Sequence, residues 1–258
     1  MSMTRLRLVT FNIAHGRGLN PIQGLASPRK VRANLLKIAR LLHTVEADIV
    51  AMQEIDRNSI WAGSFDHLLY LQTHARFPHA VYGINNHLEG LLKLSYGNAF
   101  LSRLPILTSE NVVFGRKRVG EKGFLFVEID VGGKIIPIIN LHLHYRSRVQ
   151  RMRQLDHLTA WLKEWHKEFG KTWYMPPIVC GDFNTSRTAL DAVAYLLAHM
   201  HRFGEYRAFP HEGHTFPSPW PQRTVDFVFV PKQCRHAHAV VVRSYLSDHR
   251  PVLVEFDV

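Results

Sequence analysis

Residues 180–184 read Cys180-Gly181-Asp182-Phe183-Asn184 and follow the apolar run Pro177-Ile178-Val179. A carboxylate and a carboxamide two residues apart at the end of an extended run point to the same side, because strand side chains alternate. The carboxylate can take a proton or hold an ion, and the carboxamide can donate to an oxyanion. Gly, Asp and Asn also suit any loop, so the rest of the chain has to decide. Other strand-like runs end in the same manner. Asn12 closes the run from Arg5 to Ile13, and an amide between Phe11 and Ile13 implies a buried or cleft-facing group with a defined partner. Glu54 closes Ala47 to Gln53; if buried unpaired it would be costly, so it faces solvent or holds a cation. His142 and His144 share one face of a strand, which invites a metal reading, but Tyr145 and Arg146 follow where a zinc HxHxDH run needs Asp and His. A phosphate-facing histidine is the better reading. Asp226 is embedded in the apolar run Val225 to Val230, and Asp248-His249 precedes Pro251 and the alternating Val252, Val254, Phe256 and Val258.

The elements that must position these groups are legible from hydrophobic period. Val31, Leu35, Ile38, Leu42 and Val45 recur at helical spacing behind Pro28, with basic residues on the outer face. A second helix is expected from Phe65 to Arg76, a strand around Val81-Tyr82-Gly83, and a surface loop over 84–95. Strands at 96–103, 105–114, 123–131 and 134–143, divided by turn signals such as Gly132-Gly133, predict an antiparallel meander in the middle of the chain. The tip Gly115-Arg116-Lys117-Arg118 is a solvated loop or a phosphate-backbone grip. Met152, Leu155, Leu158, Leu162 and Trp165 mark a long helix from Ser147 to Phe169; Arg146, Arg148, Arg151 and Arg153 cluster at its start, where cations oppose the helix dipole and a nearby anion would explain them. A further helix is expected over 188–200, then an irregular stretch from His201 to Arg223 whose prolines exclude regular structure, and strands at 224–230, 237–245 and 252–258.

A chain of 258 residues with 46% hydrophobic content can bury a sizeable core. No apolar run approaches the roughly 20 residues that span a bilayer, and no signal-peptide pattern opens the chain, so a cytoplasmic protein without a transmembrane segment is expected. Cys180 and Cys234 support neither a disulfide framework nor a thiolate zinc site. Lys and Arg outnumber Asp and Glu by 32 to 21, a net charge of +11 that favours anionic partners: nucleic acid, phosphorylated small molecules or an anionic membrane surface.

Taken together, TFNI at 10–13, QE at 53–54, GNAFLSR at 97–103, NLHLH at 140–144, GDFN at 181–184, VDFVFV at 225–230 and SDHRPV at 247–252 resemble the endonuclease/exonuclease/phosphatase family, whose fold resembles deoxyribonuclease I. The resemblance implies one domain over 1–258, a four-layer α/β sandwich of two packed mixed sheets, each contributed by one half of the chain, with helices outside and the site at one end of the sheets. It implies hydrolysis of phosphoester bonds with Mg²⁺ or Mn²⁺. By position, Glu54 is the principal metal ligand, with Asn12 beside it and Asp248 serving the same site. Asp182 orients or deprotonates the attacking water, Asn184 donates to phosphoryl oxygens, His142 contacts the scissile phosphate, and Asp226 holds the ring of His249. Asn98, within GNAFLSR, is a further phosphate contact. Ala14 stands where the abasic-site endonucleases carry Asp, which disfavours that role. Pro217-Ser218-Pro219-Trp220 is weakly similar to the inositol-phosphatase branch, but the full signature is missing and no hydrophobic surface loop marks a lipid enzyme. The expectation is a monomeric Mg²⁺-dependent phosphodiesterase or nuclease acting on an anionic phosphate substrate. A phosphomonoesterase or phospholipid hydrolase is the second reading, and a non-catalytic basic nucleic-acid-binding module the third. Substrate choice is expected to lie in the loops 84–95, 115–122 and 207–223.

Overall fold

The computed structural model describes residues 3–90, 93–115, 120–185 and 191–258. In chain order it contains β1 (Arg5–Asn12), α1 (Pro28–Thr44), β2 (Ile49–Asp56), α2 (His67–Ala75), β3 (His79–Leu88), β4 (Leu94–Ser102), β5 (Ile106–Val113), β6 (Gly123–Val131) and β7 (Lys134–His142). There follow α3 (Arg148–Phe169), β8 (Ile178–Asp182), α4 (Asp191–Met200), β9 (Tyr206–Phe209), β10 (Asp226–Pro231), β11 (Arg235–Val241) and β12 (Val252–Asp257). Twelve strands form two mixed six-stranded sheets, one ordered β11-β12-β1-β2-β4-β3 and the other β5-β6-β7-β8-β10-β9. In the first, β1 runs parallel to β2 and antiparallel to β12; in the second, β7 runs parallel to β8 and β10 antiparallel to β8.

The central strands β2, β4, β7 and β8 are buried on both faces because both faces are covered. Leu6, Leu8, Ile49, Ala51 and Phe100 of the first sheet pack against Ile138, Ile178, Cys180 and Val228 of the second. Their alternate neighbours Val9, Phe11, Val50 and Met52 lie under Leu35, Ile38 and Leu42 of α1 and Leu71 of α2. Ile139, Leu141, Val179 and Phe229 lie under Leu155, Leu158 and Leu162 of α3 and Leu196 of α4. The layers are therefore helix, sheet, sheet, helix, the architecture that the family resemblance implies.

Period two then decides where the polar strand ends point. Continuing the inward positions of β1, β7, β8 and β10 leads from Leu8 to Asn12, from Ile138 to Asn140 and His142, from Cys180 to Asp182, and from Val228 back to Asp226. At one end, the layer between the sheets changes from apolar to polar. That end is the candidate site. Gly181 permits the close approach: its φ is +135° and a Cβ there would lie 1.9 Å from the Leu141 carbonyl oxygen.

Several expectations differ from the fold. The strands of the middle meander do not stay in one sheet, since β4 belongs to the first and β5 is the edge strand of the second. The sheets are not one per half, because β11 and β12 return to the first sheet. Residues 84–95 are mostly a hairpin of β3 and β4 rather than a loop; Asn86, a poor strand former, is held by Glu121, whose backbone exchanges hydrogen bonds of 2.8 Å with its amide. The stretch 201–223 contains β9, paired to β10. The basic tip at 116–118 and the first turn of the helix expected from Thr188 lie outside the described residues.

Candidate active site

Asp182 ends β8 and is the hub of the site. Its Oδ2 accepts from Asn12 Nδ2 at 3.0 Å, across the two sheets, and lies 3.4 Å from His142 Nε2 and 3.8 Å from His249 Nε2. Its Oδ1 accepts the Asn184 backbone N–H at 2.9 Å. Burial pushes the Asp182 carboxyl up to about 7, even though His249 pulls it down. A carboxylate with that setting can accept a proton near neutral pH.

His249 follows β11 in a loop tied to β1 by Ser247, whose Oγ donates to the Asn12 carbonyl at 2.7 Å and accepts the His249 N–H at 3.2 Å. Its Nδ1 faces both oxygens of the fully buried Asp226 at 3.0 and 3.2 Å. Burial opposes the cation, but Asp226 and then Asp182 outweigh it and raise His249 to about 10. It therefore stands as an imidazolium with Nε2–H directed into the site. Asp182, Asp226 and His249 offer atoms within 4.8 Å of one another, but a protonated imidazole bonded to Asp226 is an oriented donor and not a metal ligand. His142 is opposite in character. Burial, then Lys122, pushes it well below its ordinary value. Lys122 Nζ, a donor only, lies 3.3 Å from its Nδ1, so the proton sits on Nε2, toward Asp182.

Glu54 breaks the alternation of β2. Gln53 takes the inward position and spans the sheets, its Nε2 donating to Asn140 Oδ1 at 2.7 Å. Regular alternation would send Glu54 to the helix side. Instead the register of β2 against β4 shifts between Met52 and Ile55, and Glu54 adopts φ 52°, a left-handed conformation costly for a side chain of this kind. The bulge turns the carboxylate toward Lys122 (3.4 Å), His15 (3.5 Å) and His142 (3.9 Å). Burial raises its pKa, but Lys122 foremost and then His15 outweigh burial and hold it well below the usual carboxylate range. A strained, ionised carboxylate whose contacts among the described residues are 3.4 Å or longer keeps oxygen lone pairs in reserve, and with the Asn12 amide oxygen beside the hub the donors suit a hard divalent cation.

Three of the expected site residues have partners that the sequence does not show. Asp248 pairs with Arg17, whose guanidinium lies 2.6 Å from its Oδ2. Asn98 is fully buried and donates to the Gly123 and Asn140 carbonyls at 3.1 and 3.2 Å, which ties the two sheets together. Asn184 lies beyond the strand at φ 48°, and its Nδ2 donates to the Leu143 carbonyl at 2.9 Å, although it still lines a cavity of about 170 Å³ with Tyr145, Phe216, Arg223, Val225 and His249. The His142 and His144 pair also separates: β7 ends at His142, and His144 Nδ1 accepts the Arg146 and Ser147 backbone N–H groups.

Lys122 and His15 were missed. His15 is buried, 2.6 Å from Asp56 Oδ2, and set edge-on against Trp61 and Tyr96. Its place three residues after Asn12, and that of Asp56 two after Glu54, were the available signals. Lys122 had none, being one of four cations in a single loop.

The sequence matches the profile of the Endonuclease/Exonuclease/phosphatase family over residues 9–249. The chain belongs to that family. No curated protein matches its sequence. Among solved structures of this family fold, sphingomyelinase C from Streptomyces griseocarneus is similar at 20% identity and TM-score 0.70, with 98% of this chain and 99% of that one covered. A mannosyl-6-phosphatase from Bacteroides thetaiotaomicron gives 16%, 0.68, and 97% and 99% coverage. TDP2 from D. rerio, complexed with a single-strand DNA product, gives 16%, 0.64, and 99% and 100%. At such identities these likenesses describe the fold, and the family is one of phosphoesterases.

Proposed function

We propose that this phosphoesterase is a divalent-metal-dependent phosphodiesterase that hydrolyses its substrate by in-line attack of water. The observation that carries the reading is the convergence on Asp182 of an amide, a neutral histidine and an imidazolium at the polar end of the layer between the sheets. Asp182 receives the proton of the attacking water. As the water oxygen bonds to phosphorus and the leaving oxygen departs, charge grows on the non-bridging oxygens, and His249, His142 and Asn12 have N–H groups to offset it. Asp226 fixes the ring of His249 and keeps it charged. Glu54, with Asn12, would hold Mg²⁺ or Mn²⁺, which when bound supplies Lewis-acid neutralisation of phosphoryl charge. The cavity lined by Tyr145, Phe216 and His249 gives one ester arm an apolar wall, and Trp61 and Tyr96 pack on His15, the neighbour of Glu54, as a second one, which favours a diester.

The test is a panel of bis-p-nitrophenyl phosphate, p-nitrophenyl phosphate, single- and double-stranded nucleic acid, inositol phosphates and sphingomyelin, with and without Mg²⁺ or Mn²⁺. Diester turnover that needs the metal is expected. Asp182→Ala and His249→Ala should each lose at least about 10²–10³ in rate with an unchanged circular dichroism spectrum. Turnover of monoesters alone, or near-normal rates in either variant, would overturn the reading.

A further inference from the structure

The loops around the site mouth carry side chains that solvent exposure makes costly. Leu19 (43% exposed), Ile22 (55%), Leu25 (66%), Ile60 (54%), Tyr145 (58%) and Trp220 (79%) are all large and apolar. They come from four separate segments, and the contacts bring those segments to the mouth. A Cβ on Gly24 would lie 3.6 Å from the Trp61 Cβ, so the 19–25 loop rests against the segment holding Ile60 and Trp61. Trp61 in turn packs on His15, the neighbour of Glu54. On the opposite side, Tyr145 lines the cavity beside His249 with Phe216, and Trp220 lies in the turn between the paired Phe216 and Arg223. The aliphatic loops and the exposed aromatics thus flank the mouth on two sides. Cations accompany them: Arg146 sits over the Tyr145 ring at 5.0 Å and Arg223 over the Phe216 ring at 4.9 Å, on a chain of net charge +11.

We infer that this rim is an interfacial docking surface for an anionic phospholipid bilayer, which brings the mouth of the site against the headgroups. Leu and Ile offer a nucleobase no ring to stack on and no hydrogen bond, whereas acyl chains accept them, as the headgroup boundary accepts Trp and Tyr. Arg146 and Arg223 then face phosphate at the level where an anionic membrane presents it. The sequence did not mark this as a lipid-facing protein, because Leu19, Ile22 and Leu25 are interrupted by Asn, Pro, Gln and Gly and form no apolar run. The consequence for substrate, a phosphoester borne at a bilayer, rests on the phosphodiesterase reading; the docking itself does not.

The experiment is co-sedimentation of the full chain with phosphatidylcholine vesicles, with and without phosphatidylglycerol. The chain is expected to bind the anionic vesicles. The double variant Ile22→Asp/Leu25→Asp is expected to lose about tenfold or more of that binding, and Trp220→Ala a smaller share. Both should retain wild-type turnover of soluble bis-p-nitrophenyl phosphate, which shows that they fold. No binding to anionic vesicles, or equal binding by the double variant, overturns the inference. So does binding of a single-stranded oligonucleotide that the same substitutions abolish while vesicles are ignored. Failure of the wild-type chain to turn over any soluble phosphoester would instead remove the phosphodiesterase reading and leave the vesicle result standing.

Discussion

At the scale of single residues, the proposed chemistry depends on two buried groups with displaced protonation. His249 is raised to about 10 and Asp182 to about 7, so between those values the base is ionised while the imidazole is still charged. Activity should rise through the lower value and fall through the upper. Asp226 is the largest favourable contribution to the His249 cation, so Asp226→Asn should move the alkaline limb of the kcat/KM profile from near 10 toward 7. An unmoved limb would mean that another group sets it. The same shift has a stability consequence. A group whose pKa is raised on folding contributes its full stabilisation below its unfolded value and loses it as pH climbs to the folded value. For His249 that window runs from about 6.5 to about 10. The melting temperature of the wild-type chain should therefore fall more between pH 7 and pH 10 than that of His249→Gln, as read by scanning fluorimetry.

At the scale of elements, the decisive feature is the bulge in β2. It spends local backbone energy to aim Glu54 into the mouth, and the Met52 carbonyl at its start finds a partner in the facing sheet. Asn140 of β7 donates through Nδ2 to the Met52 carbonyl at 2.8 Å and to the Ala99 carbonyl at 3.1 Å, while its Oδ1 accepts from Gln53. Asn140→Leu would leave those groups buried without a donor, at a cost of about 2–4 kcal/mol, and would loosen the bulge. A lower urea midpoint and a weaker affinity for Mn²⁺ in calorimetry are expected together. A lower midpoint with unchanged metal affinity would show that Asn140 supports the fold without supporting Glu54.

At the scale of the molecule, the first sheet is assembled from both ends of the chain. β12 lies between β11 and β1, and its Val252, Val254 and Phe256 are fully buried in the core between the sheets. The loop that delivers His249 is anchored by that strand on one side and by Ser247 bonding to Asn12 on the other. A chain truncated after Arg250 should therefore neither close the core nor present the site, and should lack a cooperative melt. A folded but inactive truncation would show instead that β12 positions His249 without holding the sandwich together.

How much of this was legible follows from what each feature depends on. Apolar period and turn residues are local, and they mark most strands and the helices α1 and α3 within a few residues of where they fold. The motifs GDFN and SDH identify the family because short polar runs after apolar strands are uncommon in combination. Even the inward aim of Asn12, His142, Asp182 and Asp226 was implicit in period two, once both faces of each strand are known to be buried. What the sequence could not state are relations between distant segments. The strand formed by 84–88 depends on Glu121 holding Asn86, the reach of Lys122 to Glu54 depends on a hairpin and a bulge meeting, and Asp248 is taken by an arginine 231 residues away. Residue types and order determined that this chain makes a two-sheet phosphoesterase with a polar strand-end site. Packing of the two sheets decided which of those polar groups face one another, because hydrogen bonds and charge pairs fall off within a few ångströms and only the folded chain sets those distances.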